Sequence, residues 1–196
     1  DVCSSDLKIV GSSTDTTWAQ AQTIKLEDGD ELLVVIKITT ESYSTLVDLA
    51  TLGAETLTEI EKRIGETQGE IGTIVRQMRE EAGPGLSLDL MLGRVEGELL
   101  KIYAVGEMGA YLARGGKLAK LKDEWGRGAG VEGVLKEGDV VLLLTGQFVK
   151  QIGIEKIQQI LTKEQEPGEL LAPLVHTQED SSGSAAIVLE VKTEKE

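Results

Sequence analysis

The chain of 196 residues is poor in the residue types that build several common kinds of site. A single cysteine, Cys3, excludes an intrachain disulfide, and a single histidine, His176, excludes a histidine-rich metal site and argues against zinc. Only six aromatic residues are present (two Trp, three Tyr and one Phe), so little surface is available for stacking on bases or sugars. These absences remove several classes of function at the outset.

Positive charge and long apolar runs are also scarce. Lys and Arg number 20 against 34 Asp and Glu, which gives a net charge of −14 and makes nucleic acid and anionic membrane surfaces poor partners. The longest apolar runs, Leu32–Ile36, Val140–Leu144 and Ala185–Leu189, are five residues each, whereas a helix needs ~20 to span a bilayer. We therefore expect a cytoplasmic protein with no direct membrane insertion by this stretch. A membrane anchor outside it is compatible with the sequence.

The first seven residues need separate treatment. Asp1–Leu7 reads DVCSSDL, which is the translation of the end of a widely used short-read sequencing adaptor. Our hypothesis is that these residues are an artefact joined to a truncated reading frame from assembled environmental DNA, and the alternative is a genuine polar N-terminus. If the hypothesis holds, this segment does not bear on the fold and Cys3 does not belong to the natural protein.

What remains has the composition of a globular domain. Hydrophobic residues make up 40% of the chain and charged residues 28%, and 23 glycines indicate many tight turns. The length fits one domain, which we place at residues 8–191, followed by a charged tail at residues 192–196.

Hydrophobic periodicity divides the chain into blocks of strands and helices. A strand at Glu31–Ile38 is followed by helices at Ser44–Ile64 and Gln68–Ala82, since their apolar residues recur at helical spacing. A series of short strands follows, then a glycine-rich loop and two further helices, and a strand closes the chain. The predicted segments are strands Ser87–Val95, Glu98–Val105, Gly109–Arg114, Lys117–Leu121 and Val140–Thr145, loop Gly126–Gly133, helices Gly153–Thr162 and Pro167–Val175, and strand Ala185–Val191. Lys8–Gln22 is left open as a first strand or an irregular lead-in. Segregated strands and helices predict an α+β fold with antiparallel sheets covered by helices.

Local motifs identify no chemistry on their own. Residues Gly128–Gly133 fit GxGxxG by letters but precede a strand, whereas a dinucleotide fingerprint follows a strand and opens a helix. His176 stands alone beside a polar loop and is interpreted as a surface histidine. The acidic group Glu27, Asp28, Asp30 and Glu31 lacks calcium-loop spacing and is interpreted as a solvated turn.

A family resemblance enters with the segment Ser87–Leu121, SLDLMLGRVEGELLKIYAVGEMGAYLARGGKLAKL. It resembles the central meander of the PPM-type (type 2C) metal-dependent Ser/Thr phosphatases, in which a strand ending in V-G-D-S-R precedes an A-Y-L strand and a G-K-L turn. Matching residues are Val105, Gly106, Ala110, Tyr111, Leu112, Gly116, Lys117 and Leu118, and Glu107 stands where Asp is usual. The strands Glu31–Ile38, Val140–Thr145 and Ala185–Val191 match other family strands in the correct order, so the resemblance covers about 160 residues.

The resemblance implies two Mn or Mg ions held by aspartates, and these aspartates are missing. The positions of the expected residues fall near Lys37, at Gly146 and in the stretch 181–184 around Ser182. Asp15 and Asp180 are the only weak surviving candidates for the lost ligands. Hard divalent cations need several oxygen ligands, so we expect no two-metal site and no cofactor, with Mn or Mg only if an active site has been rearranged.

The resemblance further implies a four-layer α-β-β-α sandwich, with the helices Ser44–Ile64 and Gln68–Ala82 on one sheet and the region Gly153–Val175 on the other. We expect a catalytically inactive, pseudophosphatase-like domain that binds an unknown protein partner in sensing or scaffolding. One alternative is an active phosphatase with a rearranged site that uses Asp15, Asp28 or Asp180. The other is a structural or assembly module that shares only the architecture.

Overall fold

Short, mostly apolar segments build two five-stranded antiparallel sheets in the computed structural model, which describes residues 2–41, 48–67, 70–163 and 166–193. The strands are β1 (Val2–Val10), β2 (Thr17–Lys25), β3 (Glu31–Thr40), β4 (Leu86–Glu96), β5 (Leu99–Val105), β6 (Met108–Arg114), β7 (Lys117–Lys120), β8 (Arg127–Val134), β9 (Val140–Thr145) and β10 (Ala185–Thr193). The helices are α1 (Leu49–Glu66), α2 (Ile71–Glu80), α3 (Gly146–Ile152), α4 (Ile154–Lys163) and α5 (Pro167–His176). Sheet I has the order β1-β10-β9-β6-β7, and sheet II has the order β2-β3-β4-β5-β8.

The core lies between the two sheets and is continued on their outer faces. On each strand, every second side chain points into the space between the sheets, and Leu33 of β3 and Leu143 of β9 belong to the buried cluster there. The side chains between them face the helices, because successive side chains of a strand point to opposite faces of the sheet. On sheet II they pack against α1 and α2, and on sheet I they pack against α3, α4 and α5. The predicted α+β class and four-layer sandwich are therefore confirmed.

Two glycines allow the first helix pair to approach sheet II closely. A Cβ atom at Gly53 of α1 would lie 2.4 Å from the ring of Trp18, and one at Gly72 of α2 would lie 2.7 Å from the ring of Tyr103. Such distances are far below van der Waals contact, so each aromatic ring occupies the space that a larger residue would need. Each helix thus contacts the sheet through a glycine set against an aromatic side chain.

The structure corrects several sequence-based boundaries. The predicted loop Gly126–Gly133 is largely strand β8, which pairs with β5. Lys8–Gln22 belongs mostly to strands β1 and β2, and a short helix, α3, follows β9 where none is predicted. The predicted starts of the first two helices, Ser44 and Gln68, lie outside the described residues. Helix α1 begins after Asp48, whose carboxylate accepts hydrogen bonds from the backbone N–H groups of Ala50 and Thr51.

Residues 2–7 of the segment that matches the adaptor lie within strand β1. Val2–Val10 pairs with β10 along its whole length, and the Thr23 hydroxyl donates a 2.6 Å hydrogen bond to Asp6. Leu7 lies against Gly168 of α5, where a Cβ atom would come within 2.6 Å of the Leu7 side chain. The adaptor hypothesis concerns the origin of these residues and stays a prediction that the nucleotide sequence tests.

Across the described ranges, none of the helices has both the length and the apolar character that membrane crossing demands.

Candidate functional site

Five segments meet at one end of the sandwich, where the resemblance implies the metal site. They are the second half of β3, the start of β4, the connection from β5 to β6, the junction of β9 with α3, and the loop before β10. Backbone and side-chain contacts join them: Lys37 pairs with Asp89, Gly146 N–H donates to the Glu107 carbonyl at 2.8 Å, and the Thr145 hydroxyl donates to the Gly183 carbonyl at 2.7 Å. We call this region the Lys37 site.

The ion pair between Lys37 and Asp89 lies at its centre. The two residues are directly opposite each other in the β3–β4 ladder, and Lys37 Nζ is 3.3 Å from Asp89 Oδ2. Their side chains are only 15% and 10% exposed, so the pair is largely removed from water. On the other side of the carboxylate, Arg79 Nη1 of α2 lies 3.6 Å from Oδ1 and also donates to the Leu88 carbonyl. Asp89 is therefore neutralised from two directions.

Gly106 makes room for this carboxylate. It has φ +85°, and a Cβ atom there would lie 1.9 Å from Asp89 Oδ1. Any other residue would therefore displace Asp89 and would also strain the backbone. The Val105–Gly106 sequence that carries part of the family resemblance thus has a defined structural role beside the ion pair.

Glu107 is held by a second lysine. Its carboxylate accepts a 2.9 Å hydrogen bond from Lys150 Nζ of α3, and both side chains are more than half exposed. This hydrogen bond, the attraction of the same ammonium and a weaker attraction to Lys37 lower the pKa of Glu107 below its ordinary value. Both carboxylates at the centre of the site, Asp89 and Glu107, are thus bound to cationic side chains.

The remaining positions implied by the resemblance present backbone and hydroxyl groups. A Cβ atom added at Gly146, at the start of α3, would lie 3.1 Å from the Glu107 carbonyl oxygen. Gly183 has φ +77°, and a Cβ atom added there would lie 3.3 Å from Lys37 Cδ and 3.5 Å from Gln147 Cγ. The loop backbone therefore lies directly against the aliphatic part of Lys37.

Neither Asp15 nor Asp180 belongs to a group of three or more possible metal ligands among the described residues. Asp180 is exposed, and hydrogen bonds from the hydroxyl and backbone N–H of Ser182 lower its pKa. Its backbone carbonyl accepts a 2.7 Å hydrogen bond from Gln151. Asp15 is exposed in the loop between β1 and β2, and among the described residues it makes no hydrogen bond or ion pair.

The donor set does not fit a pair of hard divalent ions. Within the ranges that the structure describes, no group of three or more His, Cys, Asp or Glu side chains could hold a metal ion. Lys37 brings an ammonium, Gly146 and Gly183 bring no side-chain oxygen, and the two nearest carboxylates are already neutralised. Mn²⁺ and Mg²⁺ need several oxygen ligands, and a lysine ammonium repels them.

Other residues singled out in the sequence lie away from the Lys37 site. Asp28 and Asp30, at the turn between β2 and β3, both bind Arg94 Nη2 at 2.6 Å, so this turn is an ion-paired cluster, where we predicted a solvated one. The GxGxxG letters fall within β8, where Gly130 lies against the Tyr103 ring. His176 is exposed at the end of α5.

Sequence reasoning missed Asp89, Arg79 and Lys150. For Asp89 a signal exists: Lys37 and Asp89 are single charges of opposite sign inside otherwise apolar stretches, IKI and LDL. Because a lone buried charge needs a partner, two such charges predict that the strands pair with these residues opposite each other. Arg79 and Lys150 lie on helices, and no local pattern identifies them.

Comparisons with known proteins give the fold a context. Neither family models nor curated protein sequences match the chain. The Streptococcus agalactiae serine/threonine phosphatase, at 12% identity, is similar to it with a TM-score of 0.74 over 98% of this chain and 100% of that one. The catalytic domain of the phosphatase PstP in complex with two manganese ions gives 0.67 at 12% identity over 98% of each chain. The phosphatase domain of Bacillus subtilis SpoIIE gives 0.64 at 13% identity, over 100% of this chain and 94% of that one.

The chain therefore has the fold of the PPM-type Ser/Thr phosphatases, and the resemblance drawn from its sequence is confirmed at the level of the fold.

Proposed function

We propose that this domain is a catalytically inactive, pseudophosphatase-like module that acts by binding in a signalling pathway, as a sensor or a scaffold. The observation that carries the proposal is the ion pair between Lys37 and Asp89. Lys37 lies at or beside the position at which the resemblance implies a metal-binding aspartate. In an enzyme that depends on two metal ions, the metals supply the activated water, so a site that repels them lacks its nucleophile.

The electrostatics of the site support this proposal. Replacing an aspartate by a lysine changes the local charge by two units in the direction that opposes a dication. The Lys37 ammonium is only slightly exposed and is satisfied by Asp89, which is also neutralised by Arg79. A metal ion entering here would have to displace a formed ion pair and find oxygen ligands at Gly146 and Gly183, which have no side-chain oxygen.

The alternative of a rearranged active site has less support. It needs Asp15, Asp28 or Asp180 to converge with other carboxylates. Asp28 is bound to Arg94, which stands opposite Leu32 in the β3–β4 ladder, five residues along β3 from Lys37. At about 3.3 Å per residue this separates the two sites by roughly 16 Å. Asp180 is engaged with Ser182 in a turn of its own.

Phosphatase assays test the proposal directly. Purified protein is incubated with p-nitrophenyl phosphate and with a phosphoserine peptide, in Mn²⁺, in Mg²⁺ and in EDTA, beside an active phosphatase of this fold as positive control. We expect no metal-dependent turnover above that of a Lys37→Ala variant. Turnover that requires Mn²⁺ and is lost in Asp15→Asn or Asp180→Asn would contradict the proposal and support the rearranged site.

Direct metal binding provides a second measurement that is independent of substrate. Isothermal titration calorimetry with MnCl₂ is expected to give only the heat of dilution. A titration with a defined stoichiometry of one or two ions per chain would contradict the proposal even if no substrate were turned over.

A further inference from the structure

A groove of about 320 Å³ lies between helices α1 and α2, above the outer face of sheet II. Its floor is apolar because Ile38 and Leu88, which are opposite each other in the β3–β4 ladder, point toward the helices. Leu86, at the start of β4, extends this floor, and Leu52 of α1 and Met78 of α2 lie on the two sides. Both helices and the sheet therefore contribute hydrophobic surface to the groove.

The walls of the groove carry carboxylates on both sides. Glu55 and Glu59 follow Leu52 by three and seven positions, which places these residues on one face of α1. Glu81, three positions after Met78, lines the facing wall at the end of α2. None of the described residues that line the groove is basic. An apolar floor between acidic walls is complementary to a segment that is both aliphatic and cationic.

Arg63 shows how a cation fits between these walls. Its Nε donates a 2.8 Å hydrogen bond to Glu59 on its own helix, and its Nη1 and Nη2 both donate to the Glu81 carboxylate. One guanidinium thus bridges the two helices at one end of the groove. Glu55, one turn further along α1 from Arg63 than Glu59 is, is exposed and forms no ion pair with any described residue. The groove therefore has a free carboxylate for which this part of the chain supplies no cation.

The length of the groove limits the size of its occupant. Leu52 and Glu59 are seven positions apart on a helix that rises about 1.5 Å per residue, so this wall is roughly 10 Å long. An extended chain covers that distance with about three residues. The net charge of −14 on the whole chain also draws cationic segments toward it.

We propose that this groove binds a short extended segment of a partner protein in which an arginine or lysine stands between aliphatic residues. The cationic group pairs with Glu55, and the aliphatic stem of the same side chain lies along the floor. A neighbouring aliphatic side chain of the segment contacts Leu52 and Leu86. Acidic side chains on a helix face are ordinarily solvated surface. Here two acidic walls face each other across a hydrophobic floor, and one cation of the chain already spans them.

The proposal names the chemistry of a partner and does not rest on the Lys37 site. Ile38 and Leu88 are next to Lys37 and Asp89 in sequence, but successive residues of a strand point to opposite faces of the sheet. A chain without metal-dependent turnover that ignores basic segments would keep the first proposal and lose this one. A chain with turnover that binds them would do the reverse.

Fluorescence anisotropy with labelled peptides tests the proposal on the full chain. The probe is Gly-Leu-Arg-Leu-Arg-Gly, and two control peptides replace both Leu by Ser or both Arg by Glu. We expect saturable binding of the probe, binding of the serine peptide that is at least about fivefold weaker, and no binding of the acidic peptide. Added NaCl should weaken the binding, because Glu55 is exposed and its attraction is screened.

A matched pair of variants separates the groove from general charge. Glu55→Lys should weaken binding of the probe about tenfold, since it removes an attraction and adds a repulsion. Glu61→Lys makes the same change in net charge at an exposed position of α1 that does not line the groove, and it should leave binding unchanged. Leu86→Ser tests the floor and should weaken binding of the probe more than binding of the serine peptide. Circular dichroism checks that each variant is folded, and the comparison of peptides on the unmodified chain needs no variant.

Three results would overturn the proposal. The first is no saturable binding of the probe up to about 1 mM. The second is equal weakening in Glu55→Lys and Glu61→Lys, which would assign the binding to the net charge of the chain. The third is equal affinity for the probe and the serine peptide, which would show that the hydrophobic floor takes no part.

Discussion

Lys37 and Asp89 face each other across the neighbouring strands β3 and β4 of sheet II, with Lys37 Nζ 3.3 Å from Asp89 Oδ2. Both flanking neighbours of each residue in sequence are buried hydrophobic side chains, Ile36 and Ile38 on β3 and Leu88 and Leu90 on β4. The pair therefore joins two strands at the end of the sandwich where the resemblance implies metal ions.

Removing one member of this pair should destabilise the fold. Lys37→Met keeps the length of the side chain but leaves the Asp89 carboxylate with Arg79 as its single cationic partner. We expect the free energy of unfolding to fall by about 2 kcal/mol, since the remaining charge is largely buried. Urea denaturation followed by circular dichroism measures it. Lys62→Met, which removes an exposed pair with Glu66 on α1, is the control and should change stability by less than about 0.5 kcal/mol.

The double variant Lys37→Met/Asp89→Leu distinguishes the ion pair from loss of side-chain packing. With both charges gone, no buried charge is left without its partner, so we expect stability to return to within about 1 kcal/mol of the unmodified chain. If the double variant is less stable than either single variant, the pair contributes through packing and our explanation is wrong.

Metal ions should not affect the stability of the domain. A protein that binds a ligand only when folded gains about 2.7 kcal/mol at one hundred times the dissociation constant, which raises the melting temperature measurably. Because the described residues provide no group of metal ligands, we expect identical thermal unfolding curves in MnCl₂, in MgCl₂ and after dialysis against EDTA. A melting temperature that rises with the logarithm of the Mn²⁺ concentration would show a site that we have not identified.

Two glycines of helix α1 should respond in opposite ways to the same substitution. Gly53 lies against the Trp18 ring, so a Cβ atom there would sit 2.4 Å from ring carbons, whereas Gly65 has no atom within 4 Å of that position. We expect Gly53→Ala to lower the free energy of unfolding by about 1–3 kcal/mol through overpacking. Gly65→Ala should raise it by about 0.5–1 kcal/mol, because alanine favours the helix over glycine. Denaturant titration of both variants checks the sign, and an equal effect at the two positions would refute the close approach.

Most of the fold could be predicted from the sequence because its strands have a clear apolar pattern. Strand β9 has its predicted limits, Val140–Thr145, and the last strand begins at the predicted Ala185. The main error was the predicted loop Gly126–Gly133, most of which is strand β8. Its glycines read locally as a loop, yet Gly130 is opposite Tyr103 in the β5–β8 ladder and lies against its ring. Position 130 must be glycine because the Tyr103 ring occupies the space of a side chain there. Tyr103 is 27 positions away in the sequence, so the local pattern does not indicate this.

The Lys37 site was predictable only in part. The positions near Lys37, Gly146 and Ser182 come from the family resemblance, and the structure brings the first two and the Ser182–Gly183 turn to one end of the sandwich. Asp89 could be found only by asking where the buried charge of Lys37 is neutralised. Lys150 and Arg79 depend on how α3 and α2 are placed on the sheets, which periodicity does not specify.

The buried carboxylate of Asp139 should make stability depend on pH. Its side chain is 1% exposed and accepts hydrogen bonds from Arg114 Nε at 2.7 Å, from Arg114 Nη2 at 2.6 Å and from the Lys136 backbone N–H at 2.7 Å. Burial by itself raises the pKa of Asp139, but these hydrogen bonds and the attraction of Arg114 outweigh it, so the pKa lies below its ordinary value. The charged form is therefore the one that stabilises the folded state.

The direction of the pH dependence follows from that lowered pKa. In the unfolded chain Asp139 titrates near pH ~3.9, so its contribution is complete above that value and is lost as the pH falls through the lower pKa of the folded state. Asp139→Asn removes the charge at every pH. We expect it to cost about 2–4 kcal/mol at pH 7 and progressively less below pH ~4, where the protonated aspartic acid resembles asparagine. Urea titrations of both proteins between pH 7 and pH 2.5 measure this difference. Asp123→Asn, at an exposed position, should show almost none. If the difference for Asp139→Asn stays constant as the pH falls, asparagine disturbs the packing around Arg114, and the charge of Asp139 is not what stabilises this end of β9.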